Sequence, residues 1–171
     1  TFYPSAHTVG SAFTYIQSNN ERVLYTGDIN FHGYDNSLSW DSVVKIAKRG
    51  VDLLITEGTN SQERSFLREE DLVDRFVDKF KRDSLIFIDI TSRNVERIRT
   101  LCTASKLSNR SLVVTGEMYY FVKDFIPSFV KDIYVLEEKR VMIPSWFEEL
   151  KDAKFISPEA IKEDPKSFVF V

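Results

Sequence analysis

Ser5-Ala6-His7-Thr8-Val9-Gly10-Ser11-Ala12-Phe13-Thr14-Tyr15-Ile16-Gln17-Ser18-Asn19-Asn20-Glu21-Arg22-Val23-Leu24-Tyr25-Thr26-Gly27-Asp28 reads as a β-hairpin with chemistry at its open end. Phe13, Tyr15 and Gln17 fall on one face of the first strand, Thr14 and Ile16 on the other. Ser18-Asn19-Asn20-Glu21 supplies the turn, because Asn tolerates left-handed backbone angles. A second run, Arg22 to Tyr25, ends at Thr26-Gly27-Asp28. Two strands joined by a short turn return to the same end, so His7 and Asp28 are expected together. A neutral imidazole and a carboxylate converging there make half of a zinc site. The same residues also suit ordinary turns, since a His before a strand and Gly-Asp after one are common surface features.

The next strand, Val51 to Thr56, is expected to be buried and ends in Glu57-Gly58-Thr59-Asn60. Open α/β sheets place their chemistry at such strand ends; a solvated turn is the equal alternative for Glu57. Between Asp28 and this strand lies a polar loop with His32, which reads as a ligand, a substrate contact or an exposed loop residue. A short helix follows it to Lys48, capped by Ser39 or Asp41, with Val43, Val44 and Ala47 buried and Gly50 as its stop.

Leu72, Val73, Phe76, Val77 and Phe80 form one apolar face of a helix over 67–82, with Ser65 as candidate cap. Ser84 to Ile90 reads as a buried strand running into Thr91-Ser92-Arg93-Asn94, then a helix with Val95, Ile98, Leu101 and Cys102 on one face. Such a strand–turn–helix junction is a ready anion site, although Thr91 or Ser92 also suits plain capping. Cys102 reads as inert core. Ser111–Thr115 is a strand. A helix from Gly116 to Val130 packs Tyr119, Val122, Phe125 and Ile126 inward, with Pro127 kinking or ending it. Ile133–Leu136 is another strand. A short segment over 145–151 buries Trp146, Phe147 and Leu150, and Phe155-Ile156 and Phe168–Val171 are short strands, the last an exposed apolar end. Alternating strands and helices predict crossovers and a mainly parallel sheet.

The 171 residues carry a net charge of −3, so no broad basic field advertises nucleic acid, although a metal centre and a few local cations suffice to hold a phosphate. A single cysteine fits a reducing, cytoplasmic setting. No apolar run has the length of a membrane span, so no membrane partner is expected.

The His7 loop followed by Thr26-Gly27-Asp28 resembles the third and fourth metal-binding motifs of the metallo-β-lactamase fold. Glu57-Gly58-Thr59 ahead of the acidic helix start (Glu69, Glu70, Asp71) looks like the first signature of the β-CASP nucleases within that fold. Ser92, Arg93, Asn94 and Arg97 are similar to a segment of the β-CASP insert in ribonuclease J-like proteins that faces the nucleic acid. The implied fold is α/β: residues 1–62 as the later part of a metallo-β-lactamase αββα core, and residues 63–171 as an incomplete, Rossmann-like β-CASP insert with a mainly parallel sheet.

The resemblance implies two-zinc hydrolysis of phosphodiesters in RNA or other single-stranded nucleic acid. Asp28 would bridge the metals and His7 would hold one. Glu57 would belong to the active-site shell, and Ser92, Arg93, Asn94 and Arg97 would meet the substrate. A homo-oligomer or a processing complex is left open. The family's His-x-His-x-Asp-His cluster is missing from a chain with only two histidines. The expectation is therefore a fragment that alone binds zinc poorly and hydrolyses nothing. Two alternatives stand: a non-catalytic, nucleic-acid-binding scaffold of the same fold, and an unrelated nucleotide-binding domain using the Thr91–Asn94 turn, which lacks a Gly-rich phosphate loop.

Overall fold

A computed structural model describes residues 1–34, 36–59, 61–62, 67–82, 84–138 and 144–171. Ser65, the candidate cap, and Asn60 lie outside the described residues. The chain is a mixed α/β protein of two compact units, Thr1–Glu70 and Asp71–Val171.

The first unit is a four-stranded sheet in the order β1-β2-β3-β4. The hairpin forms as its alternation requires, with β2 (Ala12–Ser18) antiparallel to β3 (Glu21–Tyr25) and Asn19 at φ 49° in the turn. Phe13 and Tyr15 are buried and Ile16 is exposed, so the two faces sort as the pattern dictates. The sequence reading missed β1 (Phe2–Pro4), which pairs antiparallel with the start of β2. Three residues ending in proline carry no periodicity of their own.

After β3 the chain crosses through α1 (Ser37–Arg49) to β4 (Leu53–Ile55), parallel to β3. Three corrections follow. Ser39 and Asp41 lie inside α1 rather than capping it. Its buried face is Ser39, Ser42 and Ile46 with Val43 beside them, whereas Val44 and Ala47 are exposed. Burial follows the 39, 42, 43, 46 spacing of a helical face, and two of those positions are serines, so hydrophobicity alone misplaced it. β4 is also not buried: Leu53, Leu54 and Ile55 remain 53%, 55% and 47% exposed. The apolar run secures strand pairing with β3, but no described side chain covers it fully.

The second unit takes in α2 (Glu69–Phe80) from Asp71 onward, which sinks Phe80 into the core and lays Val73, Phe76 and Val77 against it. The sheet is parallel throughout, in the order β5-β9-β6-β7-β8, built from β5 (Ile86–Phe87), β6 (Ser111–Val114), β7 (Ile133–Leu136), β8 (Lys154–Ile156) and β9 (Phe168–Phe170). Helices α3 (Val95–Leu107) and α4 (Gly116–Phe125) carry the crossovers from β5 to β6 and from β6 to β7. Ile98, Leu101, Val114, Val122, Ile133 and Val135 form the main core with them. Ile161 of α6 (Pro158–Glu163) packs on Val113 and Ile156 in a separate cluster.

Here too the structure corrects the sequence. β5 is two residues long rather than seven, and Phe87 is 69% exposed. Pro127 ends α4 and opens the one-turn α5 (Pro127–Val130), which leaves Phe125 exposed. The terminal segment is no exposed apolar end. β9 inserts between β5 and β6, burying Val169 and Val171.

Candidate functional site

Three loops leave the same end of the first unit's sheet, because β2 starts where antiparallel β3 and parallel β4 finish. The first, between β1 and β2, carries His7. Ser11 organises it: its hydroxyl accepts the Thr8 N–H at 3.1 Å and lies 2.8 and 2.7 Å from the carbonyl oxygens of Ser5 and Thr8. Backbone Ser5 N–H donates to Ser11 O at 3.0 Å and closes the loop.

The second loop follows β3. Gly27, at φ 59°, turns the chain in a region that favours glycine, and Asp28 comes next. The Thr26 hydroxyl donates to Gly27 O at 2.8 Å and stands 3.1 Å from the Thr56 hydroxyl, tying this loop to the third.

Glu57 belongs to that third loop. Its Oε1 accepts the Ile29 N–H at 2.5 Å and its Oε2 the Thr59 hydroxyl at 2.8 Å. These bonds, the Ile29 amide foremost, hold its carboxyl below the usual range, and nearby His7 adds to the effect. Both Glu57 oxygens are thus engaged by the chain, and the residue fixes the backbone immediately after Asp28.

His7 Nε2 lies 3.7 Å from Asp28 Oδ2, with side chains 38% and 72% exposed. That is too long for a hydrogen bond. It is close to the separation of about 3.4 Å at which two ligands of one tetrahedral zinc would stand. The imidazole and carboxylate suit zinc as a donor pair. Among the described residues no three His, Cys, Asp or Glu side chains gather as a metal-holding group.

Sequence reasoning took Ser39 for a helix cap and missed its role between two loops. From the buried face of α1 its hydroxyl accepts the Ala6 N–H at 2.8 Å and sits 3.5 Å from Asn30 O. One side chain therefore touches both the His7 loop and the Asp28 loop. Ser42 Oγ donates to Pro4 O at 2.7 Å beside it. The available signal was two serines on the face of a helix that otherwise turns apolar residues inward. His32 lies in the loop before α1, where its N–H donates to Asn30 Oδ1 at 2.7 Å and its carbonyl accepts the Glu69 N–H at 3.0 Å.

In the second unit, Ser92 and Arg93 form the turn after β5. Asn94, rather than Thr91 or Ser92, caps α3, accepting the Arg97 N–H at 3.0 Å. The Arg93 guanidinium lies 5.8 Å from the centre of the Phe121 ring. Cys102 is buried, and burial pushes its thiol up to about 12.

Over 121 residues the chain is 26% identical to ribonuclease J of Mycoplasma genitalium, and equally to ribonuclease J of Mycoplasma pneumoniae. The chain is similar to ribonuclease J. Each match takes in 68% of this chain and 21% of the relative, so the chain spans about a fifth of the length of the curated relatives it matches. No family model matches it. A solved protein of unknown function from Enterococcus faecalis V583 shares the fold at a TM-score of 0.67 and 19% identity, over 99% of this chain and 40% of that one. No described helix is long and apolar enough to cross a membrane.

Proposed function

We propose that this chain contributes part of a zinc-dependent centre that hydrolyses phosphodiester bonds in RNA. The observation that carries the reading is the approach of His7 Nε2 to Asp28 Oδ2 at 3.7 Å, built by three loops at one sheet end. The similarity to ribonuclease J supports RNA as the substrate class.

His7 and Asp28 would hold the metal. Zinc, when bound, supplies Lewis acidity and a nucleophile at neutral pH. Glu57 acts through the Ile29 amide as a positioning residue, keeping the Asp28 loop in place. Ser39 does the same for the backbone on both sides. Arg93 and Arg97, at the start of α3, would contribute positive charge toward backbone phosphates, while Ser92 and Asn94 shape the turn.

The second reading is a non-catalytic RNA-binding scaffold of the same fold. In its favour, both oxygens of Glu57 are already engaged by the Ile29 N–H and the Thr59 hydroxyl, an arrangement that serves the loops' architecture with or without a metal. The deciding experiment measures zinc content and cleavage of end-labelled single-stranded RNA by the protein that carries this chain, alongside His7→Ala and Asp28→Asn. Under the nuclease reading both variants lose zinc, and cleavage falls by at least about a hundredfold. Cleavage that survives Asp28→Asn overturns that reading. RNA binding without zinc or cleavage in the unaltered protein establishes the scaffold.

A further inference from the structure

The loop that follows Asp28 is pinned residue by residue. The Ile29 N–H donates to Glu57 Oε1 at 2.5 Å. Asn30 O lies 3.5 Å from the Ser39 hydroxyl, and Asn30 Oδ1 accepts the His32 N–H at 2.7 Å. Phe31 O accepts the Asn36 side-chain amide at 3.3 Å. His32 O accepts the Glu69 N–H at 3.0 Å. Asn30, Asn36 and Ser39 are local, whereas Glu57 and Glu69 reach the loop from farther along the chain. The Asp28 side chain is itself 72% exposed, so its place follows chiefly from the backbone behind it.

Glu69 opens α2 and is only 6% exposed. Residues that carry a carboxylate are seldom buried this far. Glu69 stands at the head of the helical stripe continued by Val73, Phe76 and Phe80, where packing alone would call for an apolar residue. The N–H of a first helical residue has no partner inside its own helix. Here it is spent on His32 O, the last of the pinned residues. His32 therefore holds the start of α2 through its main chain, and α2 holds the loop in return.

We propose that Glu69 is a positioning residue for Asp28. The clamp of its N–H on His32 O sets the loop at the reach from which Asp28 meets His7. The proposal deepens the reading of His7 and Asp28 as metal ligands and rests on it.

Two substitutions isolate the N–H. Glu69→Ala and Glu69→Pro both remove the carboxylate, but only proline also removes the donor, and the first position of a helix accepts proline. In the protein that carries this chain, the amides of Ile29 and His32 should exchange about tenfold faster in Glu69→Pro than in Glu69→Ala. The amides of Val114 and Val135, buried in the second unit's core, should be unchanged. Cleavage of end-labelled single-stranded RNA should lose about tenfold in kcat with KM unchanged, because the clamp touches the metal loop and not the phosphate contacts. One measurement needs no variant: isotopically labelled protein should show a through-bond coupling between the Glu69 amide nitrogen and the His32 carbonyl carbon. Absence of that coupling overturns the proposal, as does equal exchange in the proline and alanine variants. Faster exchange with kcat intact overturns the positioning role. If the unaltered protein neither holds zinc nor cleaves RNA, the nuclease reading fails, while the coupling and the exchange rates still decide the clamp.

Discussion

The Glu57 carboxylate accepts the Ile29 amide at 2.5 Å, so a side chain following β4 sets the backbone that follows Asp28. The relationship explains why a strand-end acid sits in this place without itself offering a free oxygen. One oxygen faces the Ile29 N–H and the other the Thr59 hydroxyl.

Glu57→Gln is therefore expected to weaken the Asp28 loop, with a stability loss of about 1 kcal/mol or less because solvent screens the site. The carboxyl of Glu57 is held below its ordinary value, chiefly by the Ile29 amide. Its contribution is thus present above the unfolded carboxylate pKa of about 4.3 and is lost as pH falls through the lower folded value. Urea melts of both proteins at pH 7 and in steps below about 4.3 check this: the gap between them should close on acidification. A gap that widens would show that the carboxylate is not stabilising here.

Ser39→Ala removes the acceptor of the Ala6 N–H. Leaving a fully buried donor unpaired costs about 1–3 kcal/mol, and the part-buried Ala6 N–H should sit at or below the lower end of that range. Faster hydrogen exchange at Ala6 is expected, with exchange in the second unit's core unchanged. Ser39→Thr, which keeps the hydroxyl, should recover part of the protection.

How much of this was legible beforehand differs by element. The hairpin from Ala12 to Tyr25 was readable because alternation, turn residues and length agree locally. The approach of His7 to Asp28 follows from that hairpin by geometry alone. The role of Ser39 was not readable, since a serine on a helix signals a cap unless the loops it reaches are known. The place of β9 between β5 and β6 was equally hidden. Residues 168–170 announce a strand, but the choice of neighbours is a long-range matter that no local period encodes.

Gly50 ends α1 at φ 86° and ψ 153°, a region that is essentially reserved for glycine. A Cβ added there would also run into the Arg22 guanidinium. That guanidinium is bound to Asp52 at 2.7 Å and to Arg49 O at 2.9 Å. Gly50→Ala should cost about 1–3 kcal/mol from the backbone alone. The Arg22–Asp52 pair should be displaced as well. Thermal melting measures the first effect, and the Arg22 Nε–H resonance reports the second.

Two apolar residues that look alike in sequence should behave very differently when shortened. Ile98 on α3 is fully buried, whereas Leu54 on β4 is 55% exposed. Ile98→Ala leaves a cavity and should cost about 2–5 kcal/mol, while Leu54→Ala should cost about 1 kcal/mol or less. Denaturant unfolding monitored by exchange in each unit separates the two losses. A large loss at Leu54 would mean that the β4 face is covered in solution, because only a side chain removed from water forfeits that much when it is cut back.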